Sequence, residues 1–140
     1  MGLHKIFDQQ AKLADLAARV LISAMFLIEG FAKIGNYEGV EGYMAAAGVP
    51  GFLLPLVIAA EILGAAAVIV GWQARLAALA LAEFCILTTV LFHADFADFN
   101  QKIHFMKNIA IAGGFLFLVA KGPGPWSIDA RRAAARNSAP

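Results

Sequence analysis

The sequence predicts an all-α fold, a transmembrane antiparallel four-helix bundle, and three observations support that prediction. Hydrophobic residues make up 61% of the 140-residue chain and charged residues only 15%, with a mean hydropathy of +0.73. Soluble domains average about 25% charged residues, so this chain has too little polar surface to cover a water-soluble globule. Its apolar residues also fall into four runs, each near the roughly 17–25 residues that a membrane-spanning helix needs.

The four runs define one membrane domain covering residues 1–140, with spans at about residues 16–34, 52–70, 76–92 and 103–120. They are rich in Ala and Leu and lack continuous period-two alternation, so we expect helices rather than a β-barrel. The first run leads into Glu29 and Lys33 rather than into a small-residue cleavage site. We therefore expect the first helix to be retained rather than removed as a signal peptide.

The connections between the spans indicate how the helices are joined. Residues 35–51 leave room for a short interfacial helix that stops at Gly48-Val49-Pro50-Gly51. Residues 71–75 are long enough only for a hairpin turn, so the helices on either side should run antiparallel. Residues 93–102 alternate Phe with Asp and are expected to lie along the membrane surface.

The distribution of basic residues predicts the orientation of the chain. Eight of the 11 Lys and Arg residues lie on the side of both termini and the short turn, and Lys33, Lys102 and Lys107 lie on the other. The positive-inside rule then places both termini, including a basic tail over residues 122–140, in the cytoplasm. The expected location is the cytoplasmic membrane, with several passes.

Charge and cysteine content exclude two classes of function. The net charge of +1 provides no basic field that could hold a nucleic-acid backbone. The only cysteine, Cys85, can form neither an internal disulfide nor a CxxC pair, which excludes thiol–disulfide chemistry within one chain. We expect Cys85 to be a small packed apolar residue. Any redox function would therefore need an electron carrier from outside the chain.

Ionisable residues inside the spans are the candidate site residues, because a charge at membrane depth costs about 2.5–3.5 kcal/mol on insertion scales. Helix rise divides them into two layers. The outer layer contains Glu29, Lys33, Glu61, Lys107 and Asn108, with His93 and His104 at its rim. We expect the five residues of this layer to converge on one interior cavity, because opposite charges offset one another there. The inner layer contains Arg19, Arg75 and Glu83.

The acids of the outer layer have alternative interpretations. Glu29 and Lys33 have the spacing and order of a helical ion pair, which is either purely structural or part of a ligand site. Glu61 has no basic residue within a turn on its own helix. It is therefore either protonated in the bilayer or paired with Lys33, Lys107 or Arg19, and it could act as an acid, a proton carrier or a ligand contact.

The remaining outer residues also have two interpretations each. Lys107 and Asn108 either reach the headgroups and a neighbouring helix, or together hold a quinone oxygen or an oxyanion. His93 and His104 lie at helix edges, where interfacial histidines are commoner than metal ligands. We expect no metal site.

Several of these residues recur in an order and spacing that resemble a known family. They are Arg19, Gly30-Phe31-Ala32-Lys33, Gly48-Val49-Pro50-Gly51, Glu61, Gly71, Arg75, His93, Lys107-Asn108 and Gly122-Pro123-Gly124-Pro125-Trp126-Ser127-Ile128-Asp129. Over roughly Leu16 to Asp129 the chain resembles the DoxX family of small four-span membrane proteins. The resemblance implies a bacterial cytoplasmic-membrane protein. The family is named after a subunit of a thiosulfate:quinone oxidoreductase, and some members are linked to redox and thiol-stress complexes.

The function implied by this resemblance is that of a membrane subunit supporting a quinone-linked oxidoreductase or a thiol-redox-stress complex. The chain lacks paired cysteines and any flavin or haem motif, so as an enzyme it would at most be the membrane subunit of such an oxidoreductase, and no catalytic residue is assigned. Quinone is the expected non-covalent cofactor; the expected partners are the lipid bilayer and either another redox subunit or further copies of the chain. The alternatives are a small-solute or proton-coupled carrier, and a structural membrane anchor without its own ligand.

Overall fold

The computed structural model describes residues 3–138, and over that range the chain contains helices and no strands. Residues 1–2 and 139–140, which belong to the predicted domain and tail, lie outside the described residues. A single 3₁₀ turn at Gly51–Leu53 precedes the third α-helix. The α-helices are α1 (Leu3–Gly35), α2 (Tyr37–Ala46), α3 (Leu54–Val70), α4 (Ala74–Phe92), α5 (Phe99–Lys121) and α6 (Ile128–Asn137).

Three stretches are long and apolar enough to cross a membrane: Gly51–Val70, Ala74–Phe92 and Phe99–Lys121. They coincide with the second, third and fourth predicted spans. The first predicted span lies within α1, but α1 begins at Leu3 and is not among the three stretches. The all-helical class with three candidate spans is thus established, and a fourth span remains a prediction.

The long helices pack in the order α1, α3, α4, α5, and α1 and α5 contact each other only briefly. Gly30 of α1 lies against Ile62 of α3, whereas Arg19, earlier in α1, reaches the later end of α3 at Val68. These two helices therefore run in opposite directions. The core between the helices is apolar and contains Phe26, Ala65, Leu81, Cys85 and Phe115.

Gly30 brings α1 and α3 close together at the level of Glu61. A Cβ atom at Gly30 would lie 2.6 Å from Cγ1 of Ile62 and 3.4 Å from Cβ of Glu61. Any larger side chain would push the two helices apart, because helices approach this closely only where small residues line the contact. The glycine thereby positions the neighbouring polar residues of α1 beside Glu61.

The connections differ in part from the sequence prediction. Helix α2 occupies the position predicted for a short helix in the first connection. The third connection is shorter than the predicted residues 93–102, because α5 already begins at Phe99. Asp98 caps this helix by accepting hydrogen bonds from the backbone N–H groups of Asn100 and Gln101.

The basic tail forms a helix that the sequence analysis did not predict. Helix α6 starts after Ser127, whose Oγ accepts a hydrogen bond from the backbone N–H of Ala130 at 3.1 Å. Serine is a favoured residue at this capping position. The tail then turns back against the α3–α4 turn, where the backbone N–H of Asp129 donates to the carbonyl oxygen of Gly71 at 2.8 Å.

Candidate functional site: an ion pair within the helical bundle

A salt bridge between α1 and α3 forms the centre of the candidate site. Lys33 Nζ donates a hydrogen bond to Glu61 Oε1 at 3.0 Å, although the two residues are 28 positions apart in the sequence. The side chain of Glu61 is 5% exposed and that of Lys33 is 20% exposed. Of the three partners that the sequence left open for Glu61, the fold selects Lys33.

Glu29 completes what we call the ion-pair cluster, which consists of Glu29, Lys33 and Glu61. Its Oε2 lies 3.8 Å from Lys33 Nζ, so the pair predicted from the four-residue spacing is present. Glu29 is 57% exposed, in contrast to the buried Glu61. The cluster therefore extends from the interior of the bundle to its surface.

One carboxylate oxygen of the cluster has no partner. Glu61 Oε2 is buried and accepts no hydrogen bond within residues 3–138. A lysine ammonium carries three donors, and Lys33 has two carboxylates as neighbours, one of them only at 3.8 Å. Since a buried polar atom normally has a hydrogen-bond partner, this half-satisfied pair is suited to hold a proton, a water molecule or a polar ligand atom.

The two outer-layer residues of α5 lie outside the ion-pair cluster. Lys107 is exposed, and no carboxylate of the described chain lies within 4.0 Å of its Nζ. Asn108 is half-buried. Helix α5 packs along α4, while the cluster is formed by α1 and α3, so helix order explains why three of the five predicted residues meet and two do not.

The two histidines form a pair between the end of α4 and the first turns of α5. The rings of His93 and His104 stack with centroids 5.1 Å apart, and His93 Nδ1 lies 2.7 Å from Gln101 Oε1. Among the described residues, no group of three His, Cys, Asp or Glu side chains is arranged to hold a metal ion.

The predicted inner-layer residues Arg19, Arg75 and Glu83 make no salt bridge with one another in the described part of the chain. Arg19 is buried and donates hydrogen bonds to the carbonyl oxygens of Val68, Ile69 and Trp126, at 3.3 Å for Val68 and 2.6 Å for Ile69. Its charge thereby stabilises the C-terminal end of α3. Glu83 is exposed, and no basic group in the part of the chain that the structure describes lies within 4.0 Å of its carboxylate.

A polar junction that sequence reasoning missed joins the tail to the α3–α4 turn. We call it the tail clamp, and it consists of Arg19, Gly71, Ser127 and Asp129. The Asp129 carboxylate accepts hydrogen bonds from the backbone N–H groups of Gln73 and Ala74, both at 2.9 Å. A Cβ atom at Gly71, where φ is +71°, would collide with Ser127 and lie 2.9 Å from Arg19 Nη1. The Ser-x-Asp pattern after the Gly-Pro repeat is the signal that could have revealed a capped helix here.

Comparison with known proteins identifies a matching family model and two relatives. A family model described as DoxX matches residues 14–94, which run from within α1 to just past the end of α4. The inner membrane protein YqjF of Escherichia coli (strain K12) is 48% identical over 121 residues, or 84% of this chain and 93% of that protein. The inner membrane protein YphA of the same organism is 35% identical over 124 residues, or 83% of this chain and 88% of that protein. No solved structure gives a significant match.

Proposed function

This chain belongs to the DoxX family, and we propose that it is an integral inner-membrane subunit of a quinone-linked oxidoreductase. In this proposal the ion-pair cluster of Glu29, Lys33 and Glu61 holds the quinone headgroup. The observation that carries the proposal is the buried Glu61 carboxylate, which has one oxygen bound to Lys33 and the other without a partner. Because an unpaired buried acceptor is costly, this oxygen favours a proton, a water molecule or a polar ligand atom beside it.

The residues of the cluster fit a quinone in donor and acceptor chemistry. A quinone has carbonyl oxygens that accept hydrogen bonds, and its reduction takes up two electrons and two protons. The Lys33 ammonium has a donor beyond those directed at Glu61 and Glu29. Glu61 Oε2 can carry a proton beside that donor. The cluster thus presents a hydrogen-bond donor and a proton carrier at one place, as reduction of a carbonyl requires.

Each residue of the cluster then has a distinct role. Lys33 binds and orients a carbonyl oxygen. Glu61 holds a proton at Oε2 and gives it up there, while its other oxygen remains bound to Lys33. Glu29 is more than half exposed and lies next to Lys33, so it links the interior to water and can return a proton to the cluster. The electrons come from a partner redox subunit, because this chain contributes only one cysteine, buried in the core.

The proposed topology completes the account. We propose that α1 is a fourth span, which closes an antiparallel four-helix bundle, and that both termini are cytoplasmic. The two basic residues in the apolar run of α1 have partners within the protein: Lys33 pairs with Glu61, and Arg19 donates hydrogen bonds to backbone carbonyl oxygens. The two relatives from E. coli are named inner membrane proteins, which supports the same membrane for this chain.

The quinone content of the purified protein tests this proposal. The full chain would be taken from its native membrane in a mild detergent or directly into nanodiscs, and bound quinones would be extracted and quantified per protein. We expect the wild type to retain quinone and Lys33→Met to retain at least about tenfold less, because the variant loses the charged donor to the quinone carbonyl and such a hydrogen bond contributes about 1.5–3 kcal/mol. Lys107→Met is the matched control, because it removes the same charge from another membrane helix outside the cluster.

The same preparations separate the alternative functions. If the wild type contains no quinone, and no quinone-dependent turnover appears with its copurified partner, the redox proposal is wrong. Flux of protons or small solutes into liposomes that depends on Glu61 would then support a carrier. Loss of the partner from Glu61→Ala without any change in bound small molecules would instead support a structural anchor.

A further inference from the structure

A groove at the tail end of the bundle is lined by three arginines. It lies where the start of α4 meets α6, is open to solvent and has a volume of about 740 Å³. We call it the arginine groove, and its lining residues include Gln73, Arg75, Pro123, Asp129, Arg132 and Arg136. The ion-pair cluster lies elsewhere, between α1 and α3, so the groove needs an explanation of its own.

The groove has an excess of positive charge that the protein does not neutralise. In residues 3–138, none of the three arginines has a carboxylate oxygen within 4.0 Å of its side-chain nitrogens. Asp129 also lines the groove, but its two oxygens accept hydrogen bonds from the backbone N–H groups of Gln73 and Ala74. Guanidinium groups with free donors match the paired oxygens of a phosphate group.

The position of the groove indicates the source of the phosphate. Arg75 is the second residue of α4, one of the stretches long enough to cross a membrane, and it lies against Gly122, just past the end of α5. A Cβ atom at Gly122 would be 3.1 Å from Arg75 Nη2. Trp72, half exposed and next to this point in the chain, is a residue type enriched at headgroup depth. The groove therefore lies where α4 begins and α5 ends, and the ends of membrane-spanning helices lie near the lipid headgroups.

We propose that the arginine groove binds the phosphodiester headgroup of an anionic glycerophospholipid from the adjacent membrane leaflet. Basic pockets at the ends of membrane helices bind such headgroups. Binding fastens α6 and the α3–α4 turn to the leaflet. The inference does not depend on the quinone proposal, because the two sites share no residue.

Lipid binding to the purified full chain tests the inference. Native mass spectrometry would measure retention of phosphatidylglycerol against phosphatidylcholine, with wild type, single variants and the triple variant R75Q/R132Q/R136Q. We expect phosphatidylglycerol to bind more tightly than phosphatidylcholine. Its affinity should fall about fivefold for each arginine removed, since one basic residue near an anionic surface contributes about 1 kcal/mol. R131Q is the matched control, because Arg131 is an exposed neighbour on α6 that does not line the groove.

Inorganic phosphate distinguishes a lipid headgroup from a free phosphate. If phosphatidylglycerol stays bound in the presence of excess inorganic phosphate, the lipid assignment is supported. If phosphate displaces the lipid one for one, the groove takes soluble phosphate and the assignment is overturned. Equal lipid affinity in the wild type, the triple variant and R131Q would also overturn it. Should the triple variant fail to fold, R132Q and R136Q on the exposed face of α6 give the same comparison. The quinone content of the same variants should be unchanged, which would show that loss of lipid binding is independent of the proposed quinone site.

Discussion

The salt bridge between Lys33 and Glu61 predicts a large coupling free energy between the two positions. Lys33→Met leaves the Glu61 carboxylate buried without a cation, and breaking a buried ion pair in this way costs about 3–5 kcal/mol. Glu61→Leu should cost less, because Lys33 is 20% exposed and keeps Glu29 at 3.8 Å. The double variant removes both charges and places apolar groups in an apolar setting, so its cost should fall well below the sum of the single costs. We expect a coupling of about 2–3 kcal/mol.

This coupling would be measured by unfolding the wild type, the two single variants and the double variant in mixed detergent micelles, with circular dichroism as the readout. The control cycle uses Lys107→Met and Glu83→Leu, because these two residues are also a lysine and a glutamate of the long helices but make no salt bridge within the described residues. Their effects should add to within about 0.5 kcal/mol, as expected of independent sites. If the Lys33–Glu61 cycle is as additive as the control cycle, the reasoning about the buried pair is refuted.

Three further predictions concern the tail clamp. Gly71→Ala should lower the free energy of unfolding by about 1–3 kcal/mol, because the added Cβ meets Ser127 in a left-handed backbone conformation. Gly113→Ala is the control and should not lower it, because a Cβ there meets open space. Equal effects of the two variants in thermal unfolding would contradict the packing argument. Arg19→Leu removes hydrogen bonds to three carbonyl oxygens and should destabilise by at least about 1.5–3 kcal/mol, which unchanged unfolding in micelles would disprove. Asp129→Ala should expose the tail to limited proteolysis after α5, since two backbone N–H groups lose their acceptor, and a cleavage rate equal to wild type would count against the clamp.

The apolar segments were predictable from the sequence because hydrophobic length alone determines which helices can cross a membrane. The stretches at Gly51–Val70, Ala74–Phe92 and Phe99–Lys121 correspond to the second, third and fourth predicted spans. Helix α6 was not predicted, because it is polar and its stability comes from the Ser127 cap and the Asp129 contacts rather than from an apolar face. A search for long apolar runs does not detect such a short polar helix.

The partner of Glu61 could not be chosen from the sequence. Charge allowed Lys33, Lys107 or Arg19, and the choice depends on which helices are neighbours. Helix α1 packs against α3, and the close approach at Gly30 brings Lys33 within hydrogen-bonding distance. Arg19 lies on the same helix, but its terminal nitrogens donate to backbone carbonyl oxygens, two of them at the later end of α3. Lys107 lies on α5, which packs along α4.

Redox-induced infrared difference spectroscopy tests the central claim, that Glu61 exchanges a proton beside a bound quinone, most directly. Quinone added to the full chain in nanodiscs would be reduced electrochemically, and the carbonyl-stretching region of protonated carboxylic acids would be compared between wild type, Glu61→Gln and Glu83→Gln. The account predicts a carboxylic acid band that changes on reduction, persists in Glu83→Gln and is absent from Glu61→Gln. A difference spectrum that is the same in wild type and Glu61→Gln would contradict it.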